Sequence, residues 1–309
     1  MQTIAKVETP SQANAWFTVD GLDPFAVVGY NYANQIVPAL YVVATPIGNL
    51  EDISLRALRL LDQVDLIAAE DTRTTRQLLE AHNIKTPLTS YHEHNKRTKL
   101  SYLLDCLKEK DVALVSEAGM PGLSDPGYEL IAAAIEYGVS VVPVPGASAV
   151  ITALVVSGLP ASQFLYLGFL PRRRGQRQRL LKSVADEPRT MVAFEAPHRL
   201  LEALEDALET LGDRKLAVCR ELTKVHEEVF RGKLSQAMEH FAQPRGEFTL
   251  VIEGKTKEKP EVDEQIGIEL YKLYRQGAGA KEAVARLSKT TGVSKKKLYQ
   301  AWLRLTKGD

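Results

Sequence analysis

The segment Ser116-Glu-Ala-Gly-Met-Pro-Gly-Leu-Ser-Asp-Pro-Gly127 sets three glycines and two prolines among Ser116, Glu117, Ser124 and Asp125. A structural turn rarely needs so many backbone-permissive residues in succession. A loop wrapped closely around a small molecule does, because small residues let main-chain N–H and C=O groups approach the ligand. Thr45-Pro-Ile-Gly-Asn49 and Pro145-Gly-Ala-Ser148 have the same character. None of them carries the G-x-G-x-x-G or Walker pattern, so neither a dinucleotide nor a nucleoside triphosphate is indicated. His92-Glu93-His94 offers two imidazoles without a third ligand at suitable spacing, and no metal site is expected. Pro171-Arg-Arg-Arg-Gly-Gln-Arg-Gln-Arg179 crowds five arginines together with only Gly and Gln between them, which suits phosphates and exposed bases.

Each of the three loops follows an apolar run and opens a helical pattern. Strands are expected from about Ala39, at Val64–Ala69, Val112–Ser116 and Ser140–Val144, with helices at 53–63, from near Thr72, at 96–109, 127–137 and from Ser148. This alternation predicts an α/β fold with a mainly parallel sheet, in which loops after the strand ends line one crevice. After Ser157-Gly-Leu-Pro160 a second α/β block begins, with strands at Phe164–Phe169, Thr190–Phe194, Lys215–Cys219 and Glu247–Glu253, a helix at 198–211 and a mixed sheet. Lys255–Glu264 reads as a charged linker. Helical patterns at 265–275, 280–289 and 294–305 then suggest a helix-turn-helix-like tail with Ser294 as N-cap. The expected domains are a flexible extension over 1–37, α/β domains over 38–158 and 159–255, and the linker with its tail over 256–309.

The chain has 309 residues, with 39 basic and 39 acidic side chains. Such balance excludes a uniformly basic nucleic-acid coat protein but permits a local basic face. Cys106 and Cys219 are the only cysteines, which suits a reducing compartment. No stretch is long and apolar enough to span a bilayer, and residues 1–37 do not read as a signal peptide. A cytoplasmic location with no membrane partner is expected.

Seven ordered motifs carry a family resemblance: Ala44–Ser54 (ATPIGNLEDIS), Ala68–Thr75 (AAEDTRTT), Ser116–Gly127, Pro145–Ala149 (PGASA), Gly168–Arg172 (GFLPR), Phe194–Arg199 (FEAPHR) and Arg220–Glu228 (RELTKVHEE). From about Leu40 to Gly254 the chain resembles the bacterial small-subunit ribosomal RNA 2′-O-ribose methyltransferases of the tetrapyrrole methylase superfamily. Their central loop usually reads Ser-Asp-Ala-Gly-Thr-Pro; here it is Ser116-Glu-Ala-Gly-Met-Pro121. The resemblance implies S-adenosyl-L-methionine held between two α/β domains, a homodimer, and as target the ribose of a cytidine in the decoding region of 16S rRNA within the small ribosomal subunit. It implies cofactor contacts at Pro46, Gly48, Ser116, Glu117, Ala118, Gly119, Leu123, Ser148 and Ala149, with Phe169, Phe194 and Leu222 closing the other wall.

Methyl transfer to a hydroxyl needs collinear reactants and a route for the hydroxyl proton. Glu70 and Asp71, Glu195 and His198, and Lys224 are the candidates, three of them with a plain alternative: Asp71 as an N-cap beside Arg73, His198 facing solvent, Lys224 in a surface ion pair with Glu221. RNA contact is expected from Arg172, Arg173, Arg174, Arg177 and Arg179, from Arg199, and from Lys295, Lys296 and Lys297 in the tail. Two other functions stay open: methylation of a tetrapyrrole-like small molecule, which needs no arginine run, and a non-catalytic RNA-binding role in ribosome assembly.

Overall fold

A computed structural model describes residues 29–30, 36–255 and 262–306. Residues up to Gly254 group into one compact unit and those from Lys255 into a second. Most of the expected N-terminal extension lies outside the described residues. At its end, β1 (Gly29–Tyr30) and β2 (Ile36–Val37) pair antiparallel.

The first sheet is built from β3 (Ala39–Val43), β4 (Leu66–Ala69), β5 (Leu88–Ser90), β6 (Val112–Val115) and β7 (Ser140–Val144), in the order β5-β4-β6-β3-β7 and all parallel. Helices α1 (Leu55–Gln63) and α2 (Thr72–Ala81) cover one face, and α3 (Lys96–Cys106) and α4 (Tyr128–Glu136) the other. Two-residue alternation in β3 explains how it serves both layers. Tyr41 and Val43 enter the α1/α2 core, whereas Leu40 and Val42 enter the α3/α4 core. Because β3 and β6 are neighbours whose helices leave to opposite faces, a crevice opens between their carboxyl ends.

The helix α5 (Ala149–Val156), N-capped by Ser148, joins the two sheets. Its Val150, Ala153 and Leu154 share a core with Ile47 and with Val192, Ala217 and Val251 of the second sheet, so apolar burial locks the halves together. That second sheet runs β11-β10-β12-β9-β8, from β8 (Phe164–Phe169), β9 (Thr190–Glu195), β10 (Lys215–Arg220), β11 (Glu228–Lys233) and β12 (Phe248–Ile252). The β8/β9 pair is parallel and the rest antiparallel, giving the mixed sheet expected. Helices α6 (Arg174–Ser183), α7 (Leu200–Leu211) and α8 (Leu234–His240) belong to this half, with Leu181, Leu204 and Ala237 in its outer core. Sequence periodicity does not reveal β5 or α8, which are short, nor β11, where only Val229 and Phe230 are apolar, nor α6, whose inward face is charged.

In the second unit, α9 (Glu264–Arg275), α10 (Ala280–Thr291) and α11 (Lys295–Thr306) close around Leu270, Val284, Leu287, Leu298 and Trp302. Gly292, at φ 72°, ends α10, and the Ser294 hydroxyl accepts from Lys297 N at 3.4 Å to start α11. Lys295 and Lys296 are exposed in its first turn, with Lys297 half-buried.

Candidate active site

A cavity of about 680 Å³ opens at the carboxyl ends of the first sheet and is walled on its other side by the second. Pro46 and Gly48 border it from the loop after β3, Ser116, Glu117, Ala118, Gly119 and Leu123 from the loop after β6, and Ser148 and Ala149 from the start of α5. Phe169, Phe194 and Leu222 form the opposite wall. The sequence-predicted cofactor residues therefore all meet in one place.

Their individual duties differ from a simple cradle. Thr45 and Gly119 exchange a pair of main-chain hydrogen bonds, N to O at 2.9 Å and 3.1 Å, which staples the two loops and leaves the Gly119 peptide groups already engaged. Gly119 is needed there for its φ of 83°. A Cβ at Gly48 would stand 3.0 Å from the Leu222 carbonyl oxygen and closer still to Thr223 and Lys224. Gly48 thus permits a close approach between the halves, continued by Asn49 N donating to Thr223 Oγ1 at 3.0 Å. A second contact between the halves joins Ser124 Oγ and Tyr166 Oη, 2.6 Å apart.

The carboxylates are what make the cavity chemically distinctive. Glu70, at the end of β4, accepts from Glu117 N at 3.2 Å through Oε2, and both line the cavity with Asp125. Burial, then the nearby charge of Glu70, push the Asp125 carboxyl up to about 7, against a hydrogen bond from Ser116. Burial likewise raises Glu70, followed by repulsion from Glu117 and Asp71. A carboxyl titrating near neutrality inside a cavity is suited to accept a proton. Asp125 stands in the central loop of the sequence, but nothing in its spacing distinguishes it as a base, because the cause is the burial and the convergence of the β4 and β6 ends.

The other candidates are placed as follows. Asp71 does not border the cavity: Oδ1 caps α2 by accepting from Arg73 N at 2.7 Å and Thr74 N at 3.3 Å, and Oδ2 pairs with Arg73 Nη2 at 2.9 Å. Those hydrogen bonds hold its carboxyl at about 2, too low for a base at neutral pH. His198 is exposed on a single 3₁₀ turn and does not itself line the cavity, although Pro197 beside it does. Glu195 and Lys224 do line the cavity. Glu195 is buried and ion-paired with Arg199, Oε1 also accepts from Ala196 N at 2.8 Å, and Oε2 has no partner among the described residues. Lys224 Nζ sits 2.8 Å from Glu247 Oε2 and 3.2 Å from Glu221 Oε1. Burial opposes its charge, but the two carboxylates outweigh that and hold its proton more tightly than usual, which makes it a fixed cation rather than a base.

Two arginines expected on RNA are structural. Arg177 is wholly buried, its Nε 2.7 Å from Asp206 Oδ2. The reason is helical spacing: Arg174, Arg177 and Gln178 share the face of α6 that meets Glu202, Asp206 and Glu209 of α7. Arg199, besides pairing with Glu195, donates to the Leu170 carbonyl at 3.2 Å and pins the wall segment. Arg172, Arg173 and Arg179 remain exposed, and Arg174 is exposed but tied to Asp206 at 2.8 Å. Among the described residues no group of His, Cys, Asp or Glu gathers to hold a metal ion, and no helix is long and apolar enough to cross a membrane.

Comparison with known proteins gives a concordant picture. The model for Tetrapyrrole (Corrin/Porphyrin) Methylases matches residues 39–238. A protein of Synechocystis sp. named Ribosomal RNA small subunit methyltransferase I is 48% identical over 272 residues, 86% of this chain and 98% of its own. A Bacillus subtilis protein of the same name is 44% identical over 272 residues, 85% of this chain and 93% of its own. Among solved structures, a diphthine synthase superposes with a TM-score of 0.59 at 16% identity, over 71% of this chain and 90% of that one. A uroporphyrin III C-methyltransferase from Thermus thermophilus gives 0.51 at 19% identity, over 70% and 97%. These two likenesses concern the fold.

Proposed function

The chain belongs to the tetrapyrrole methylase family, and from that premise we propose that it is a ribosomal RNA methyltransferase using S-adenosyl-L-methionine. Its proposed product is a 2′-O-methylated cytidine ribose in the decoding region of 16S rRNA. The observation that carries this reading is the acid-lined cavity at the strand ends of a chain whose relatives bear the rRNA methyltransferase name.

The donor would supply an electrophilic methyl group on a positively charged sulfur. The residues present fit such a molecule. Small-residue loops face the cavity, and Glu70, Glu117 and Asp125 form its carboxyl side. The stapled loops at Thr45 and Gly119 and the start of α5 hold it, and Asp125 takes the proton from the acceptor hydroxyl, a transfer that typically contributes about 10²- to 10⁴-fold. Lys224, kept protonated, orients an anionic oxygen of the acceptor. Glu195 and Arg199 are positioning residues, fixing the wall at Ala196 and Leu170.

The domain partition at 158/159, a homodimer and a cytoplasmic location belong to the same reading. Exposed Tyr128 and Ile135 on α4 and Ile151 and Val155 on α5 supply apolar surface for self-association. RNA is gripped at Arg172 and Arg173 and at the basic start of α11. Replacing Arg172 and Arg173 together by Ala is expected to weaken RNA binding and reduce the slope of log K against log salt by about 1 to 2, roughly one for each phosphate no longer neutralised. Titration at several salt concentrations checks this, and an unaltered slope refutes the assignment of these two arginines to RNA.

The deciding experiment incubates the full chain and labelled donor with 30S particles, naked rRNA and tRNA, and maps ribose methylation by mass spectrometry. Label on a 16S cytidine 2′-oxygen is expected. Label on tRNA alone overturns the target, and no uptake of donor in calorimetry favours the non-catalytic role. Transfer only to a tetrapyrrole favours the small-molecule reading.

A further inference from the structure

Strand β8 carries an irregularity that reverses the facing of one side chain. Phe164, Leu165 and Tyr166 pair in step with Thr190, Met191 and Val192, yet Phe169 pairs with Phe194, so β8 holds one residue more than β9 over this interval. Before the extra residue, Phe164 and Tyr166 face the α5 side, and Leu165 and Leu167 the outer core. Strict alternation would send Phe169 to that outer core as well. The bulge at Gly168, whose φ is 67°, shifts the phase, so that Leu170 enters the outer core and Phe169 turns to the cavity.

The result is a phenylalanine 55% exposed at the cavity wall. Leaving such a ring in water forgoes burial free energy that the unbulged strand would collect. Its inner side is braced by Phe194, ring centroids 5.3 Å apart, and Phe194 is in turn braced by Tyr166 at 5.5 Å. Gly168 itself sits where a Cβ would come 3.4 Å from Ser124 Oγ, so the bulge is fitted to the loop on the other side of the cavity. Directly after the buried anchor Leu170 come Pro171 and the exposed cations Arg172 and Arg173. An outward aromatic face followed in the same segment by exposed guanidinium groups matches how single-stranded RNA is held, by base stacking beside phosphate contacts.

We propose that Phe169 is the stacking platform for the base of the acceptor nucleotide, drawn out of its own stack, rather than a wall for the donor as its sequence motif implies. This rests on the RNA methyltransferase reading above and adds to it the element that orients the ribose. A base lying on Phe169 with its flanking phosphate at Arg172 or Arg173 presents its sugar to the cavity.

The test uses the full chain with Phe169→Ala, Phe169→Leu and Phe169→Trp, measuring KM and kcat with 30S particles and calorimetric affinity for S-adenosylhomocysteine. Stacking of ~1–3 kcal/mol per base converts to a rise in RNA KM of roughly 5- to 150-fold for Phe169→Ala, at tenfold per 1.4 kcal/mol. Phe169→Leu, apolar but without an aromatic face, is expected to show most of that rise. Phe169→Trp, which restores an aromatic face, is expected to raise KM far less than Phe169→Leu, and its added fluorescence to be quenched by a cytidine-containing oligoribonucleotide but not by S-adenosylhomocysteine. Weakened S-adenosylhomocysteine binding with unchanged RNA KM assigns the ring to the donor and overturns the proposal, as does an unchanged KM in both smaller variants. Should the parental protein methylate no RNA, the underlying reading fails, while quenching of Phe169→Trp by the oligoribonucleotide still decides the platform.

Discussion

Asp125→Asn is expected to lower kcat by about 10²- to 10⁴-fold while RNA affinity stays at the parental level. The parental kcat/KM should rise tenfold per pH unit below about 7 and level off above it, because the free protein's Asp125 must lose its proton before it can accept another. In Asp125→Asn that inflection disappears. Glu70→Gln removes the neighbouring charge that, after burial itself, keeps the proton on Asp125, so the inflection moves to lower pH. The other groups acting on Asp125 are Ser116, which favours its charge, and Glu117, which repels it; the Tyr166 hydroxyl is raised by burial first, with the Asp125 charge adding to it.

Stability gives an independent readout of opposite sign. The folded state holds the Asp125 proton up to about 7, whereas the unfolded chain releases it near 3.8. Between those values the folded state binds more protons, so this group's contribution falls as pH rises and is fully lost above 7. Asp125→Asn should therefore melt higher than the parent at pH 8 while losing catalysis. Parental turnover in Asp125→Asn with the pH inflection intact would place the base elsewhere.

Arg177→Ala is expected to destabilise the first unit by roughly 3–5 kcal/mol, because it leaves the Asp206 carboxylate buried without its closest counter-charge. Arg174 at 2.8 Å and Gln178 at 2.9 Å remain, but both approach only Oδ1, so Oδ2 loses its donor. At about 2–4 °C per kcal/mol for a unit of this size, the melting temperature drops by roughly 6–20 °C. The salt slope of RNA binding does not change, in contrast to the Arg172 and Arg173 pair. Replacing Arg177 by Met together with Asp206 by Leu should recover most of the loss, since an apolar pair of similar volume avoids burying either charge. Unchanged melting with weakened RNA binding would return Arg177 to the RNA face.

The contrast between Arg177 and its neighbours shows where sequence reasoning stops. Among the closely spaced arginines from 172 to 179, type and local density are the same. Only the helical phase of α6 against the acidic stripe of α7 decides that Arg177 turns inward while Arg179 stays in solvent, and Arg172 and Arg173, which precede the helix, stay exposed as well. The same holds for Asp71 and Asp125. Asp71, at a strand-to-helix boundary, is legible as a cap from its position alone, and local geometry drops its carboxyl to about 2. Asp125 acquires its value near 7 from burial first and then from the charge of Glu70, which is distant in the chain.

By itself the sequence determined the strand-loop-helix alternation, the small-residue loops that meet at one crevice, and the two-part division before the helical tail. These follow from period, glycine and proline placement, and strand-end topology, all of which are local or pairwise. Tertiary structure alone decided which charged groups are buried, which carboxyl holds its proton near neutrality, and that a one-residue bulge turns Phe169 to the cavity. Those depend on desolvation and on contacts across the two sheets, and such energies exist only once remote segments have come together.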